Sequence, residues 1–325
     1  MDVCGPTSMG GVSIRFVAEP VRVRVPATSA NLGPGFDALG LALALHDDVA
    51  AEVTAGGVTV AVTGEGAGDL PVDDGHLVVR AMRVAFDVLG GQPAGLAVEC
   101  VNRIPQARGL GSSSAAIVAG VLLARALVME GESRLDDNAV LRLAAEIEGH
   151  PDNVAPCLLG GFTLAWTEPA GARAVSLPVA DGVRPTVLVP TERGLTATAR
   201  AALPATVPHG DAAFNAGRAG LLVHALTAQP ALLLPATADR LHQDWRAPSM
   251  PGTSALVNGL RAAGVAAVVS GAGPSVLALS ELPVGFDAGT DWRLLRLPVD
   301  VCGAQVERGR LGHAERDPVA AGRKS

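Results

Sequence analysis

"RIPQARGLGSSSAAIVAGVLLARALVM", residues 103–129, decides how the rest of the chain is read. The strand-like run "GLAVECVN" at 95–102 leads straight into it, and the uniformly apolar tail from Ala115 reads as a buried helix. Strand, glycine turn and helix start is the context in which backbone N–H groups converge on an anion. Gly109 and Gly111 permit positive φ and let a phosphate approach the backbone without a Cβ in the way. Ser112, Ser113 and Ser114 fall at the helix start, where their hydroxyls either close the open helix end or coordinate a phosphate-bound Mg²⁺. The stretch lacks the lysine of the GxxxxGK[ST] loop.

Composition narrows the partners. The chain has 325 residues, with 49% hydrophobic and 18% charged, enough for a sizeable core and for two ordinary domains or one large one. A net charge of −7 argues against a general nucleic-acid or anionic-membrane binder. Six Phe, three Trp and no Tyr leave no base-stacking surface for single strands. Cys4, Cys100, Cys157 and Cys302 form no CxxC pair, so isolated thiols are expected rather than a metal or redox site. The absence of a signal-like start or a long uninterrupted apolar run predicts a cytoplasmic protein.

Working outward, residues 1–18 lack a period and are expected to be flexible. "VRVRV" at 21–25 alternates as a strand, the run from Ala38 to Ala55 has extended strand character, and "VTVAVTG" at 58–64 is another strand. "HLVVRAMRVAFDVLG" at 76–90 and "DDNAVLRLAAEIEG" at 136–149 carry helical spacing. From Trp166 the texture changes at "EPAGARAVSLP", which places a domain break near 165. Beyond it, "TVLVP", "AAVVS" and "VLALS" read as strands, and "LTATARAALP" and "DAAFNAGRAGLLVHALTAQ" as helices. The expected organisation is therefore 1–18, a domain over 19–165, a domain over 166–312, and a polar tail over 313–325.

Three segments together resemble the GHMP kinases. "PQARGLGSSSAA" resembles that family's central P-x-x-x-G-L-G-S-S-A-A motif, "VPATSANLGPGFDALGLAL" its first motif and "VVSGAGPSVLALS" its third, in the family's order. The resemblance spans roughly 20–312 and implies a two-domain α/β (α+β) GHMP kinase fold. Its N-terminal domain would be ribosomal-protein-S5-like and its C-terminal one ferredoxin-like. It implies ATP and Mg²⁺ as cofactors, with the helix dipole and metal standing in for the missing lysine. Pro105, Arg108, Gly109, Leu110, Gly111, Ser112, Ser113 and Ser114 would hold the phosphates, with Gly271 and Gly273 in the third motif beside them. His76 stands where relatives often have an Asn lining the nucleotide base.

Within that family "PATSANLGPGFD" and "EGHPDNVAP" are most similar to the branch that phosphorylates homoserine. A small zwitterion needs an anion for its ammonium, cations for its carboxylate and a hydrogen-bonding group at its hydroxyl. The resemblance assigns Asp37 to the ammonium, Asn31 to the hydroxyl, and His150 and Asp152 to the substrate site. Asp152 matches the position of a catalytic base in mevalonate-type members, and Asn31 is the second candidate catalytic residue. Glu148 would hold Mg²⁺ together with Ser113, with Glu146 as the alternative. Arg200 in "TATARAALP" and Arg246 in "LHQDWR" would clamp the carboxylate. His209, His224, His242 and His313 are read as structural. ATP and L-homoserine are the expected partners, without nucleic acid or membrane, and a homodimer is compatible with this reading.

Overall fold

The structure, a computed structural model, describes residues 14–194 and 196–311. In chain order the first half forms β1 (Val21–Ala30), β2 (Leu39–Thr54), β3 (Gly57–Gly64), α1 (Leu77–Leu89), β4 (Gly95–Asn102), α2 (Ser112–Leu127), α3 (Gly131–Arg134), α4 (Asp137–Glu148), α5 (Val154–Leu159), β5 (Phe162–Glu168) and β6 (Gly171–Leu177). The second half forms β7 (Thr186–Pro190), α6 (Thr196–Ala201), α7 (His209–Thr227), α8 (Leu233–Ala236), α9 (Gln243–Arg246), α10 (Pro251–Ala262), β8 (Ala267–Val269), β9 (Val276–Ala278), β10 (Trp292–Arg296) and β11 (Gln305–Arg308).

The larger sheet runs β11-β1-β2-β4-β3, with β5 on β2 and β6 on β5. Its pairings are antiparallel except β3 with β4, whose connection carries α1. In "VRVRV" Val21, Val23 and Val25 are fully buried while Arg24 is exposed, the one-sided burial that strict alternation predicts. On the covered face α2 packs against β1, flanked by α1, α4 and α5. Ala115, Val118, Ala119, Val121, Leu123, Ala124 and Leu127 of α2 are fully buried, so it is the central helix of the layer.

The smaller sheet runs β10-β7-β9-β8, all antiparallel. Its residues alternate between two cores: Val187, Val189, Val268 and Leu277 join the main core, whereas Leu188, Val269, Val276 and Ala278 pack with Val257 and Leu260 of α10. Burial on both faces explains why "TVLVP", "AAVVS" and "VLALS" read as apolar runs without polar alternation.

The sheets divide the chain differently from a break at 165. That position lies inside β5, and the hairpin partner β6 continues the first sheet to Leu177. The change of texture at "EPAG" is the tip of this hairpin, whose turn composition imitates a linker. Near the C-terminus β11 returns to pair with β1. At the other end, Val17 N donates to Leu127 O, Met129 N donates to Arg15 O, and the Phe16 ring stands edge-on to Phe86 at 5.7 Å. The last residues of the segment expected to be flexible are therefore docked. Residues 1–13 and the tail 313–325 lie outside the described residues. Cys100 and Cys157 are buried and unpaired, Cys302 is exposed and unpaired, and no described helix is long and apolar enough to cross a membrane.

Candidate active site

Three sequence-distant loops meet at the start of α2. In the β1–β2 connection Asn31, Leu32 and Asp37 all adopt positive φ (68°, 49° and 57°), a region that costs non-glycine residues about 1–2 kcal/mol each. The loop is held by the Asn31 side chain: Nδ2 donates to Gly271 O at 2.9 Å, and Oδ1 accepts Asp37 N at 3.0 Å. Gly271 N donates back to Ala30 O. Ser270 Oγ lies 2.8 Å from Ser29 Oγ and 2.6 Å from Gly109 O, which joins the first and third loops to the second.

The second loop needs its glycines. Gly109 and Gly111 have φ of 71° and 69°; a Cβ would lie 2.1 Å from Ser270 O on the first and 1.9 Å from Thr28 Oγ1 on the second. Gly111 is the N-cap of α2 and offers no side-chain cap, and of the two roles open to the serine hydroxyls, Ser113 and Ser114 do not take that of closing the helix end. Ser113 Oγ donates to Glu148 Oε1 at 2.7 Å, and Ser114 Oγ donates to the same atom at 2.9 Å. The first-turn N–H groups of a sixteen-residue helix thus face the cleft with their partial positive charge.

An open cleft of ≈ 240 Å³ collects most residues singled out from sequence: Asn31, Asp37, Pro105, Gly109, Leu110, Gly111, Ser112, Ser113, Glu148, His150, Asp152, Arg200, Arg246 and Gly271. Asn153, Gly194, Ala107 and Ala272 also line it. Asn153 Oδ1 accepts the Thr28 hydroxyl at 2.8 Å, and Gly194 N donates to Ala107 O at 2.7 Å, tying the β7–α6 loop to the glycine loop. His150 Nδ1 and Asp152 Oδ1 are 2.7 Å apart, with Asp152 only 2% exposed. Burial opposes the charge of His150, but the Asp152 hydrogen bond and the Asp152 and Glu148 charges together raise its pKa.

Charge is divided across the cleft. Arg200 grips Asp37 bidentately, Nη2 to Oδ1 at 2.6 Å and Nη1 to Oδ2 at 3.0 Å, and this bond raises the arginine's pKa. Arg246 is 1% exposed and has no carboxylate partner within ion-pair distance among the described residues. Its Nε donates to Ala199 O at 3.2 Å, and Nη1 lies 3.2 Å from Gly271 O and 3.1 Å from His242 Nδ1. Burial, then the neighbouring Arg200, lowers its pKa. The Phe36 ring has the Arg200 and Arg246 guanidinium carbons 5.7 Å and 5.6 Å from its centroid, a cation–π contact with both.

Four assigned residues do not line this cleft. Arg108 spends its guanidinium on the carbonyls of Pro190, Gln106 and Thr191, bracing β7. Ser114 is fully buried behind Glu148, and Gly273 sits in the third loop with its N–H on Ser270 O. His76 caps α1, accepting Val78 N at Nδ1, while its buried Nε2 has no hydrogen-bond partner among the described residues; burial lowers its pKa. It lines a second pocket of ≈ 230 Å³ that shares Ala107, Ser112 and Ser113 with the cleft. Asp47 lines it too and was not singled out from sequence. Burial pushes this carboxyl up to about 7 although Arg103 N and Ile104 N both donate to its Oδ1.

An open helix start therefore lies beside a divided charged site. Residues 76–161 match the GHMP kinases N terminal domain. The homoserine kinase of Streptomyces coelicolor is 60% identical over 90% of this chain and 96% of its own length. That of Clavibacter michiganensis is 52% identical over 88% and 94%. The crystal structure of homoserine kinase from Cytophaga hutchinsonii superposes with a TM-score of 0.76 at 29% identity, covering 91% of this chain and all of that one. Identity of this extent over nearly the whole length, on a shared fold, makes the chain a member of the homoserine kinase family within the GHMP kinases.

Proposed function

We propose that this chain transfers the γ-phosphoryl group of ATP to the hydroxyl of L-homoserine, giving O-phospho-L-homoserine for threonine biosynthesis in the cytoplasm. The observation that carries this reading is the pairing, in one cleft, of an uncapped helix N-terminus with a buried arginine that lacks a carboxylate partner. The first suits a phosphate chain and the second suits a carboxylate, so the cleft offers complementary charge to a polyphosphate and a small acid side by side.

The phosphates of ATP lie over Gly109 to Ser113, held by backbone N–H groups and the α2 dipole. The base enters the pocket beside His76, where the neutral imidazole's Nε2–H is the available donor. Homoserine inserts between Asp37 and Arg200, its ammonium taking the carboxylate and its carboxylate taking Arg200 and Arg246. The Asp37–Arg200 ion pair thus stands in for the two charges of the substrate. That exchange keeps Asp37 and Arg200 paired at both stages and gives the buried Arg246 the carboxylate it lacks.

Asn31 and Asp152 then face the substrate hydroxyl. Asp152 Oδ1 is engaged by His150, so Oδ2 is the oxygen left to accept the hydroxyl proton. A loose phosphoryl-transfer transition state asks little of an early base, so in-line positioning and charge neutralisation supply most of the rate. Ser113 Oγ and Glu148 Oε1 are hard oxygen donors 2.7 Å apart beside the helix start, a set that fits Mg²⁺ with its remaining positions left to water and phosphate. When bound, the metal neutralises phosphate charge. The test is ADP release with Mg·ATP and a panel of L-homoserine, D-homoserine, L-threonine, mevalonate and galactose. Strong preference for L-homoserine is expected; turnover of mevalonate or galactose instead would sink the substrate site.

A further inference from the structure

We propose that His242 is a positioning residue for substrate recognition. Through its two ring nitrogens it ties the Arg246 guanidinium to the loop that carries Asn31 and Asp37. The inference rests on the reading of Arg246 as a carboxylate ligand.

His242 is fully buried and outside the cleft. Its Nε2 lies 2.7 Å from Gly33 O and its Nδ1 lies 3.1 Å from Arg246 Nη1. A carbonyl oxygen can only accept, which puts the proton on Nε2. Nδ1 then keeps its lone pair, and the only role open to it is to accept from Arg246. The ring is therefore a neutral strut with one polarity, donating to the loop and accepting from the arginine. Burial favours this neutral form. Asp239 Oδ2, 3.5 Å from Nε2, already accepts the backbone N–H groups of His242 and Gln243. The imidazole also packs against Phe36, 5.3 Å between centroids with the rings tilted by 34°.

The strut decides which edge of Arg246 meets the substrate. Nε is taken by Ala199 O, and Nη1 by His242 and Gly271 O, so both of its N–H groups are used. Nη2 is left, on a residue that lines the cleft. Without the Nδ1 acceptor, Nη1 loses one of its two fixed partners and the guanidinium is free to turn about its terminal torsions. A planar fork recognises a carboxylate only in a fixed orientation.

Two conservative variants separate the ends of the strut. His242→Gln carries an amide N–H out to the Nε2 position and keeps the Gly33 contact but offers Arg246 no acceptor. His242→Asn places an amide oxygen near the Nδ1 position and keeps the Arg246 contact. The Gln variant is expected to raise KM for homoserine roughly tenfold, the cost of about one hydrogen bond, with KM for ATP and kcat little changed. The Asn variant should stay within about threefold of the native value. Equal KM effects in the two, or loss of thermal stability with KM unmoved, would overturn the proposal.

The carboxylate-free analogue homoserinol distinguishes the two layers of the argument. If native protein uses homoserinol as well as homoserine, Arg246 does not hold a carboxylate and the underlying reading fails. If native protein prefers homoserine but the Gln variant shows the same preference, His242 alone is misassigned. Nitrogen-15 NMR on native protein needs no variant. It should show His242 protonated at Nε2 only, with the Nδ1 resonance moving on addition of homoserine. A doubly protonated ring or the opposite tautomer would refute the strut.

Discussion

Replacing Arg246 with Met should separate binding from stability, because the arginine is buried at a cost the fold does not recover. Methionine has nearly the same length and no charge. Removing the cation relieves a desolvation penalty of several kcal/mol, since no carboxylate sits within ion-pair distance to offset it. Against this, Ala199 O and His242 Nδ1 lose their donor, at about 1–3 kcal/mol each, whereas Gly271 O keeps Asn31 Nδ2. The opposing contributions nearly cancel, so stability should change by no more than about 2 kcal/mol, a few degrees in Tm for a chain of this size. Binding should not be spared. A substrate carboxylate deprived of Arg246 still has Arg200, so the loss is set at about 2–4 kcal/mol rather than the 3–5 of a fully broken buried pair. That is roughly a 30- to 700-fold fall in kcat/KM for homoserine. Coupled ADP-release kinetics at saturating Mg·ATP, with a thermal melt of the same preparation, measures both. A kcat/KM within threefold of native, or a melt lowered by more than ten degrees with KM unchanged, would make Arg246 a structural residue and refute the argument.

Other perturbations test other parts. Glu148→Gln should lower kcat at least ~100-fold and weaken Mn²⁺ binding followed by paramagnetic relaxation, while metal-free ATP binding persists. Gly109→Ala forces a Cβ to within 2.1 Å of Ser270 O at a φ of 71°, so ~2–5 kcal/mol of strain and overpacking should appear as a lowered Tm and a raised KM for ATP. Asp47→Asn should stabilise the protein at alkaline pH. The carboxyl's folded value, about 7, lies above its ordinary 3.8, so its contribution is fully present below about pH 4 and is lost as pH rises through 7. The amide carries no charge to desolvate, and the gain should grow to at most ~4 kcal/mol at pH 8 and vanish below pH 4, read from urea midpoints across pH. A gain independent of pH would show that Asp47 is ionised at no cost.

Periodicity made β1 to β4 and the helices α1, α2 and α4 legible, because each buries one face or is wrapped entirely by the core. β11 was not legible: Gln305 to Arg308 are all exposed, with no alternation to betray pairing. Trp166 marked a boundary only because a hairpin tip and a linker use the same residues. The glycine and serine motif announced an anion site, yet it could not show that the hydroxyls of Ser113 and Ser114 converge on Glu148 instead of capping their own helix. Arg108 looked like a phosphate ligand by adjacency, whereas its partners are carbonyls, two of the three more than eighty positions away. Asp37 and Arg200 were each assigned from local motifs, but their contact spans 163 positions and only the fold reveals it. His242 lacked a recognisable partner in sequence because one of its two contacts is a backbone carbonyl, which no side-chain pattern encodes.

The return of β11 to β1 also sets an order of events during biosynthesis. β1 pairs with β2 on one side and with β11 on the other, and the two partners lie some 250 residues apart in the chain. At translation speeds of ~5–20 residues per second, the nascent chain carries β1 as an open sheet edge for tens of seconds before β11 leaves the ribosome. An open edge is a template for pairing with other chains. "VRVRV" answers that interval, since the alternation that buries its valines sets Arg22 and Arg24 on the other face. Arg24 is paired with Asp48 of β2, and Arg22 keeps the unfinished edge charged until it meets Glu307 across it, the ion pair that marks the sheet as complete.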